Sequence, residues 1–321
     1  MHSPAYLPND RIDSIDLLST VLGLAPQQLI GLSQSEQKYY RANSPKKKPD
    51  GTIRQTYRIL SPLKEVQQNI NINIFHNVDF PFYLLGGIKD RRYPRDYVRS
   101  AALHAQSKIF LKEDIKNFFP SIGAFLVFDI WRSFFLFPIE ICKLLTNLTT
   151  YKGFVPQGAP TSPYLANLVF WNKEPELEQN LSQGGFIYSR YFDDITISSK
   201  RTILAAEIHR ITEKLYQMLF SLGFKPKRKK RRVMTARSKV QIHNLNVNSG
   251  KPTLSRVERM RIRAAVYECE VSASMDLEPQ LYKKIYDSVR GRVANFQRLH
   301  PNQAEQYIER LELIKPGKIN H

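Results

Sequence analysis

An adjacent pair of acidic residues, Asp193 and Asp194, interrupts a stretch of apolar and aromatic residues at 186–198. The flanking segments carry aromatic and β-branched residues typical of strands, which predicts a hairpin with the acidic pair at its bend. Two neighbouring carboxylates that are partly buried repel each other unless a positive charge lies close to both. The pattern therefore indicates a divalent cation. A polar turn with no further role is the alternative, since turns favour Asp.

The chain has a large excess of positive charge. Its 321 residues include 48 Lys and Arg against 29 Asp and Glu, which gives a net charge of +19. The basic residues cluster at 46–48, 91–92, 225–232 and 256–263. Each cluster alone is explained by a solvated surface, but four of them favour a groove that binds the phosphates of a nucleic acid.

Composition also disfavours several classes of protein. There is no run of about 18 apolar residues, so we expect no membrane-spanning helix. The two cysteines, Cys142 and Cys269, are far apart and have no His or Cys neighbours at ligand spacing, which disfavours structural zinc and disulfides. The first residues lack the pattern of a secretory signal, and we expect a cytoplasmic protein.

Local patterns predict strands interleaved with helices and then a helical tail. The predicted helices lie at 11–43, 62–74, 125–149 with a break at Pro138, 202–222 and 255–315. The predicted strands lie at 53–60, 107–114 and 240–247, and a turn is predicted at 48–52. Ser162 and Pro163 are predicted to begin one more helix, as its N-cap and its first residue. This order predicts an α+β fold.

Asp114, at the end of a predicted strand, completes a set of acids suited to metal-dependent nucleotidyl transfer. Such chemistry needs carboxylates on separate strand ends that meet at two hard cations. Mg²⁺ prefers oxygen ligands and keeps several waters, so two or three acids plus substrate phosphates suffice. The seven histidines are scattered and offer no competing zinc site. This interpretation requires Asp114 to lie beside the bend at 193–194.

Three segments resemble the sequence motifs of reverse transcriptases, and most closely those of bacterial retrons. Residues 191–194 (Tyr-Phe-Asp-Asp) resemble the Tyr-X-Asp-Asp box, and residues 155–163 resemble the Pro-Gln-Gly…Ser-Pro box. Residues 110–121 resemble the strand that bears the first aspartate, and the likeness runs from Lys48 to the C-terminus. It implies a right-hand polymerase with fingers, a palm built of an antiparallel sheet plus helices, and a C-terminal helical thumb.

The resemblance also implies domain boundaries. Residues 1–104 would form N-terminal helices and fingers, and residues 105–250 the palm, with fingers helices inserted at about 122–152. Residues 251–321 would form the thumb.

Each residue that matches a motif acquires an implied role. Asp114, Asp193 and Asp194 would bind two Mg²⁺ ions together with the backbone carbonyl of Ile115. Lys229 or Lys230 would protonate the leaving pyrophosphate, and the basic run leaves both open. The residues that would bind the incoming dNTP are Lys48, Arg54, Phe119, Gln157 and Gly158.

Phe119 would exclude a 2′-hydroxyl and so select deoxynucleotides, although a core aromatic is the alternative. Gln157 would reach the sugar and base, and Gly158 would permit close approach of the backbone. Lys48 and Arg54 would contact the triphosphate, or they are ordinary surface charges. The residues that would contact nucleic acid are His104, Lys227, Arg228, Arg231, Arg232, Arg256, Arg259 and Arg263.

Two family elements that help to recognise the cognate RNA are altered. Retron enzymes carry Asn-Ala-X-X-His, where residues 100–104 read Ser-Ala-Ala-Leu-His, and Val-Thr-Gly, where residues 242–244 read Ile-His-Asn. These changes leave the RNA partner and the subgroup open.

The retron resemblance implies a specific product and set of partners. The enzyme would copy part of a cognate noncoding RNA, of the msr–msd type, into single-stranded DNA primed from an RNA 2′-hydroxyl. The product would be a branched RNA–DNA hybrid (msDNA), and an effector protein encoded nearby would act with it in antiphage defence. The alternatives are another bacterial reverse transcriptase, of group II intron, diversity-generating or abortive-infection type, or a noncatalytic RNA-binding scaffold for an effector.

Overall fold

A computed structural model describes residues 3–8, 12–47, 51–90, 93–275 and 277–317. The chain divides into two compact units. The first comprises Met1–Ser100 with Ser107–Thr235, and the second comprises Ala101–Gln106 with Ala236–His321. Helices and strands are mixed along the chain, as the sequence predicts.

Short hairpins and helices make up the N-terminal part of the chain. The elements are β1 (Ala5–Tyr6), α1 (Ile15–Leu22), α2 (Pro26–Ser35), β2 (Tyr40–Ala42), β3 (Lys46–Lys47), β4 (Ile53–Arg54), β5 (Tyr57–Ile59), α3 (Leu63–Asn73), β6 (Val78–Asp79) and α4 (Tyr97–His104). Strand β1 pairs with β6, β2 with β5 and β3 with β4, all antiparallel. The turn predicted at 48–52 falls between β3 and β4 in the sequence, and its residues 48–50 lie outside the described residues.

The single helix predicted over 11–43 is wrong. Gly23 ends α1 in the left-handed conformation, with φ 72° and its N–H donating to the carbonyl of Ser19. Pro26 then begins α2, and Tyr40 starts a strand that pairs with β5. Apolar residues recur at helical spacing on both sides of Gly23, so periodicity alone did not reveal the break.

The remainder of the first unit contains the main sheet. Its elements are β7 (Ile109–Asp114), α5 (Phe118–Ser121), α6 (Ala124–Asp129), α7 (Ile139–Thr149), α8 (Ser162–Leu168), α9 (Glu174–Gln183), β8 (Ile187–Tyr191), β9 (Asp194–Ser199), α10 (Ala205–Ser221) and β10 (Arg232–Thr235). The predicted strand at 107–114, the hairpin at 186–198 and the helices at 125–149 and 202–222 are confirmed. Ser162 is not an N-cap: Thr161 holds that position, and Ser162 Oγ donates to the carbonyl of Pro156 at 2.6 Å.

The main sheet has four antiparallel strands in the order β10–β7–β9–β8. Leu111 of β7 and Ile197 of β9 are buried in the same core as Leu215 and Leu219, which lie one helical turn apart on α10. Strand β10 was not predicted, because it is a largely exposed edge strand whose residues continue a basic run. The two central strands are thus held on both sides by hydrogen bonds and covered by α10.

Three long helices dominate the second unit. Its elements are β11 (Gln241–Ile242), β12 (Leu245–Asn246), α11 (Arg256–Ala273), α12 (Pro279–Gln297) and α13 (Pro301–Leu313). The buried side chains of Val266, Cys269, Tyr286 and Val293 form its core. The predicted helical tail is confirmed.

The single strand predicted at 240–247 is wrong. It is a tight hairpin, in which Ile242 pairs with Leu245 across a two-residue turn. His243 and Asn244 both have positive φ, at 49° and 64°, as such turns require. Alternation of apolar and polar residues continues through the turn, so the sequence pattern did not distinguish one strand from two.

Within the described residues, no individual helix has the length and apolar character needed to cross a bilayer. Ile15–Leu22 and Pro26–Tyr39 satisfy that test only together, as a pair bent by 84°.

Candidate active site

The three predicted acids lie at one edge of the main sheet. Strand β7 ends at Asp114 and β9 begins at Asp194, and the antiparallel register places these two residues opposite each other. The N–H of Ile115 donates to the carbonyl of Asp193 at 2.9 Å, which ties the bend to the end of β7. Asp114 is buried, whereas Asp193 and Asp194 are half-buried. The bend at 193–194 therefore lies beside Asp114, as the metal interpretation requires.

Two neighbouring glycines pack against the bend. Phe192 adopts a left-handed conformation, with φ 57°, and its ring packs over Gly86 and Gly87. A Cβ on Gly87 would lie 2.5 Å from Phe192 Cζ, and Gly87 itself has φ 68°. Only glycine fits there without moving the ring. The segment that contains these glycines therefore sets the position of the acidic bend.

The pKa of Asp194 is raised above its ordinary value. Burial raises the pKa of Asp194 to about 6, and the negative charges of Asp193 and Asp114 add to the effect. Lys112 and Lys230 act in the opposite direction. Neighbouring carboxylates that are partly buried favour the binding of a positive charge between them.

The side chain of Lys230 contacts an acid of the site. Its Nζ lies 2.6 Å from Oδ2 of Asp114, and its side chain is about half exposed. Burial lowers the pKa of Lys230, but the hydrogen bond to Asp114 and the charges of the three aspartates raise it above its ordinary value. Lys229 is exposed. The structure thus separates two lysines that the sequence left equivalent.

A short 3₁₀ turn at Arg228–Lys230 aims Lys230 at Asp114. The N–H of Lys227 donates to the carbonyl of Asp114 at 2.6 Å, which anchors the start of the turn. The guanidinium of Arg228 lies 5.8 Å from the ring centroid of Tyr216, and Arg231 donates to Thr212 Oγ1 at 3.1 Å, so both pack on α10. Arg232 lies in β10, opposite Lys112.

The acidic cluster fits divalent metal ions. All of its donors are hard oxygens, the ligands that hard divalent cations such as Mg²⁺ prefer. Among the residues that the structure describes, no group of three or more His, Cys, Asp or Glu side chains is arranged to hold a metal ion. Fewer protein ligands suffice where substrate phosphates and waters complete the shell. Asp114 and Asp194 are the pair of acids best placed to bind a metal ion.

Phe119 lies next to the acidic bend. Its ring centroid is 5.7 Å from that of Phe192, and it also contacts Phe118 at 5.7 Å. The side chain is half-buried. Phe119 therefore borders both the core and the site, and the contacts are compatible with either of the roles predicted for it.

The turn at Gln157 and Gly158 is joined to β5. The carbonyl of Gln157 accepts from the N–H of Tyr57 at 2.8 Å. Gly158 has φ 108°, and a Cβ on it would overlap the carbonyl oxygen of Tyr57. The side chain of Gln157 is half-buried. A glycine is thus required here by both conformation and space.

The other predicted binding residues are dispersed. Lys48 lies outside the described residues, and Arg54 is exposed on β4, opposite Lys46. His104 is fully buried, so its predicted contact with RNA is not favoured by its position. In the second unit, Arg256 and Arg263 are exposed on α11 and Arg259 is half-buried.

Sequence reasoning missed two basic residues near the acids. Lys112 lies two residues before Asp114 on β7, so both side chains project from the same face of the sheet. Burial lowers the pKa of Lys112. Arg190 on β8 is fully buried, and its Nη1 donates to the carbonyl of Phe192 in the bend at 3.4 Å. For Arg190, the available sequence signal was an arginine inside an apolar strand. For Lys112, the signal was the alternation of side chains between the two faces of β7.

Comparisons with known proteins found a matching family, several relatives and a solved structure to which this chain is similar. Residues 45–251 match the family described as reverse transcriptase (RNA-dependent DNA polymerase). The chain is 31% identical to the retron Se72 reverse transcriptase of Salmonella heidelberg (strain 579083-10), over 95% of this chain and 80% of that protein. It is 29% identical to the retron Ec48 reverse transcriptase of Escherichia coli, over 98% and 79%. A solved structure of telomerase from Candida albicans with a fragment of telomeric RNA is similar at a TM-score of 0.38 and 10% identity, covering 63% of this chain and 40% of that one.

Proposed function

Because this chain belongs to the reverse transcriptase family and is an RNA-directed DNA polymerase, we propose that it is the reverse transcriptase of a retron. One observation carries the proposal. The likeness to a retron enzyme covers 95% of this chain and 80% of the relative, so it extends beyond residues 45–251, which match reverse transcriptases in general. As an RNA-directed DNA polymerase, this protein has an RNA template as its partner.

We assign the architecture of a right-hand polymerase to this chain. The sheet that carries Asp114 and Asp194 is the centre of a palm at 105–250, into which fingers helices are inserted at about 122–152. Residues 1–104 form the N-terminal helices and fingers, and the helices of 251–321 form the thumb. The position of the acids on the central strands supports this assignment.

Asp114, Asp193 and Asp194 hold two Mg²⁺ ions in this proposal, with the backbone carbonyl of Ile115 as a further ligand. When bound, the ions supply Lewis acidity to the attacking and leaving oxygens. Lys230 serves as the proton donor to the pyrophosphate, because Asp114 orients its ammonium group at 2.6 Å. Burial lowers the pKa of Lys230, but the hydrogen bond to Asp114 and the charges of the three aspartates raise it above its ordinary value, which favours the ammonium form.

The incoming dNTP is positioned by the residues around the acids. Phe119 excludes a 2′-hydroxyl beside Phe192, and Gln157 and Gly158 contact the sugar and base. Lys48 and Arg54 bind the triphosphate. Lys227, Arg228, Arg231, Arg232, Arg256, Arg259 and Arg263 contact nucleic acid, and the net charge of +19 supports binding of this kind.

The substrate RNA and the biological role complete the proposal. A cognate noncoding RNA of the msr–msd type supplies both the template and the priming 2′-hydroxyl, so the product is a branched msDNA. The system acts in antiphage defence in the cytoplasm, through an effector protein encoded nearby. The names of the retron relatives support the proposed retron RNA and its msDNA product. The proposed role in antiphage defence extends that proposal.

The test is to purify the protein from its host and sequence the nucleic acid bound to it. We expect one short RNA joined by a 2′–5′ branch to DNA that is complementary to part of the same transcript. Treatment with a debranching enzyme should release the DNA with a free 5′ end. Recovery of intron RNA, or of DNA that has no RNA template, would contradict the retron assignment.

A further inference from the structure

Arg190 is a fully buried arginine two residues before Phe192 of the acidic bend. A buried guanidinium is strongly unfavourable unless it is paired. Its partner is Glu174, also buried, at the start of α9. Arg190 Nε donates to Glu174 Oε1 at 2.6 Å and Nη2 donates to Oε2 at 2.8 Å, a two-point contact. Tyr188 donates to the same Oε1 at 2.6 Å.

The remaining N–H groups of Arg190 bind backbone carbonyls. Nη1 donates to Ala166 at 2.9 Å and to Phe192 at 3.4 Å, and Nη2 donates to Asn167 at 2.9 Å. Together with the two contacts to Glu174, these acceptors match the five N–H donors of a guanidinium. A lysine or an apolar residue could not reproduce this set of contacts.

These carbonyls belong to two different parts of the proposed site. Ala166 and Asn167 lie in the last turn of α8, the helix that follows the Gln157–Gly158 turn, and a cation is favourable at a helix C-terminus. Phe192 belongs to the acidic bend. Asn167 Nδ2 also donates to the carbonyl of Gly86, one of the glycines that support Phe192.

Arg190 also lies against rings that lead toward Phe119. The guanidinium carbon is 5.2 Å from the ring centroid of Phe170 and 6.0 Å from that of Phe118. Phe118 in turn contacts Phe119 at 5.7 Å. One side chain therefore joins the acidic bend, the helix after the nucleotide-binding turn and the support of Phe119.

Stability alone does not account for this arrangement. Replacing a buried ion pair by apolar residues of similar volume is often neutral or stabilising. We propose that Arg190, oriented by Glu174, is a positioning residue that holds Asp193 and Asp194 in register with the nucleotide bound at Gln157 and Gly158. This inference rests on the roles proposed above for those four residues. Arg190 does not touch substrate in this proposal.

The test compares an apolar replacement of the pair with a matched control. Arg190→Met with Glu174→Leu removes both charges together, and Arg190→Lys keeps the charge but loses the planar donor set. The control is Gln67→Met, because Gln67 is fully buried in the same unit and donates to Tyr40 and to the carbonyl of Leu148. For each variant, melting temperature, RNA affinity, and kcat and KM for one dNTP would be measured on an RNA template.

We expect the double variant and Arg190→Lys to melt within about 5 °C of Gln67→Met. Their kcat should fall about 100-fold, since misplacement by about 1 Å has effects of that size. RNA affinity and KM for the dNTP should change less than about threefold, because neither charge contacts a ligand. Gln67→Met should retain wild-type kcat.

Two outcomes would overturn the proposal. The first is a kcat for either Arg190 variant that equals that of Gln67→Met. The second is a loss of kcat that only parallels the loss of folded protein in both variants. Asp193→Asn in the same assay distinguishes this failure from failure of the site assignment. If Asp193→Asn still polymerises, the assigned site is wrong. If Asp193→Asn is inactive but the Arg190 variants polymerise normally, only the positioning role is wrong.

Discussion

The Nζ of Lys230 and Oδ2 of Asp114 lie 2.6 Å apart, although 116 residues separate them in the sequence. The contact forms because the 3₁₀ turn at Arg228–Lys230 begins beside the end of β7. The N–H of Lys227 donates a hydrogen bond to the carbonyl of Asp114 and holds the two segments together. It places one ammonium group among three carboxylates. Lys229, its immediate neighbour, is exposed.

Lys230→Ala should lower kcat about 100-fold, whereas Lys229→Ala should change it less than about threefold, because only Lys230 is held beside the acids. Single-nucleotide incorporation under saturating dNTP measures both. A solvent deuterium isotope effect should be present in the wild type. Equal losses for the two variants would show that the basic run acts only as a general binding surface.

Asp193→Asn should abolish DNA synthesis, with a loss of at least about 1,000-fold, because the amide removes a negative charge from the proposed metal site. RNA affinity should stay within about twofold, since the acid contacts no RNA in the proposal. The two measurements are primer extension and a binding titration with the same RNA. Asp129→Asn is the matched control, because Asp129 ends α6 and accepts a hydrogen bond from Ser133, four residues later in the chain. Persistent synthesis in Asp193→Asn would refute the mechanism.

Phe119→Val should raise incorporation of ribonucleotides relative to deoxynucleotides by at least about 10-fold, because the smaller side chain leaves space for a 2′-hydroxyl. The ratio of kcat/KM for UTP and dTTP measures this selectivity. Phe135→Leu serves as the control, since Phe135 is buried and its ring packs on Trp131. If both variants lose activity and neither loses selectivity, Phe119 is a core residue only.

Gly158→Ala should destabilise the protein by at least about 2 kcal/mol and raise KM for dNTPs about tenfold, because a Cβ would overlap the backbone of Tyr57 and displace the turn. Gly153→Ala is the control. Gly153 also has positive φ, at 79°, but a Cβ there meets no atom within 4 Å. It should cost about 1 kcal/mol and leave KM unchanged. Chemical unfolding and steady-state kinetics separate the two effects, and identical behaviour of both variants would contradict the assigned role of the turn.

Local patterns predicted much of the fold correctly. The hairpin that carries Asp193 and Asp194, the strand that ends at Asp114 and the helical tail were all evident from spacing and residue type. Two of the errors share a cause. At Gly23 and at His243–Asn244 the chain changes direction without a change in the apolar pattern, so the change depends on backbone conformation that periodicity does not report.

The candidate site shows the same division. The positions of the acids followed from the ends of strands, because antiparallel pairing brings such ends together. The choice between Lys229 and Lys230 did not follow, since adjacent residues of a basic run differ only in direction, and a contact with Asp114 sets that direction.

Sequence alone determined the hairpin at 186–198, the strand that ends at Asp114 and the helical tail, because these depend on neighbours within a few residues. Tertiary structure alone decided that Arg190 is buried on Glu174, that Lys230 faces Asp114, and that Gly87 supports Phe192. Each of these contacts joins segments that are distant in the chain. Their energies arise only when burial removes water from charged or apolar groups, and no local pattern records that event.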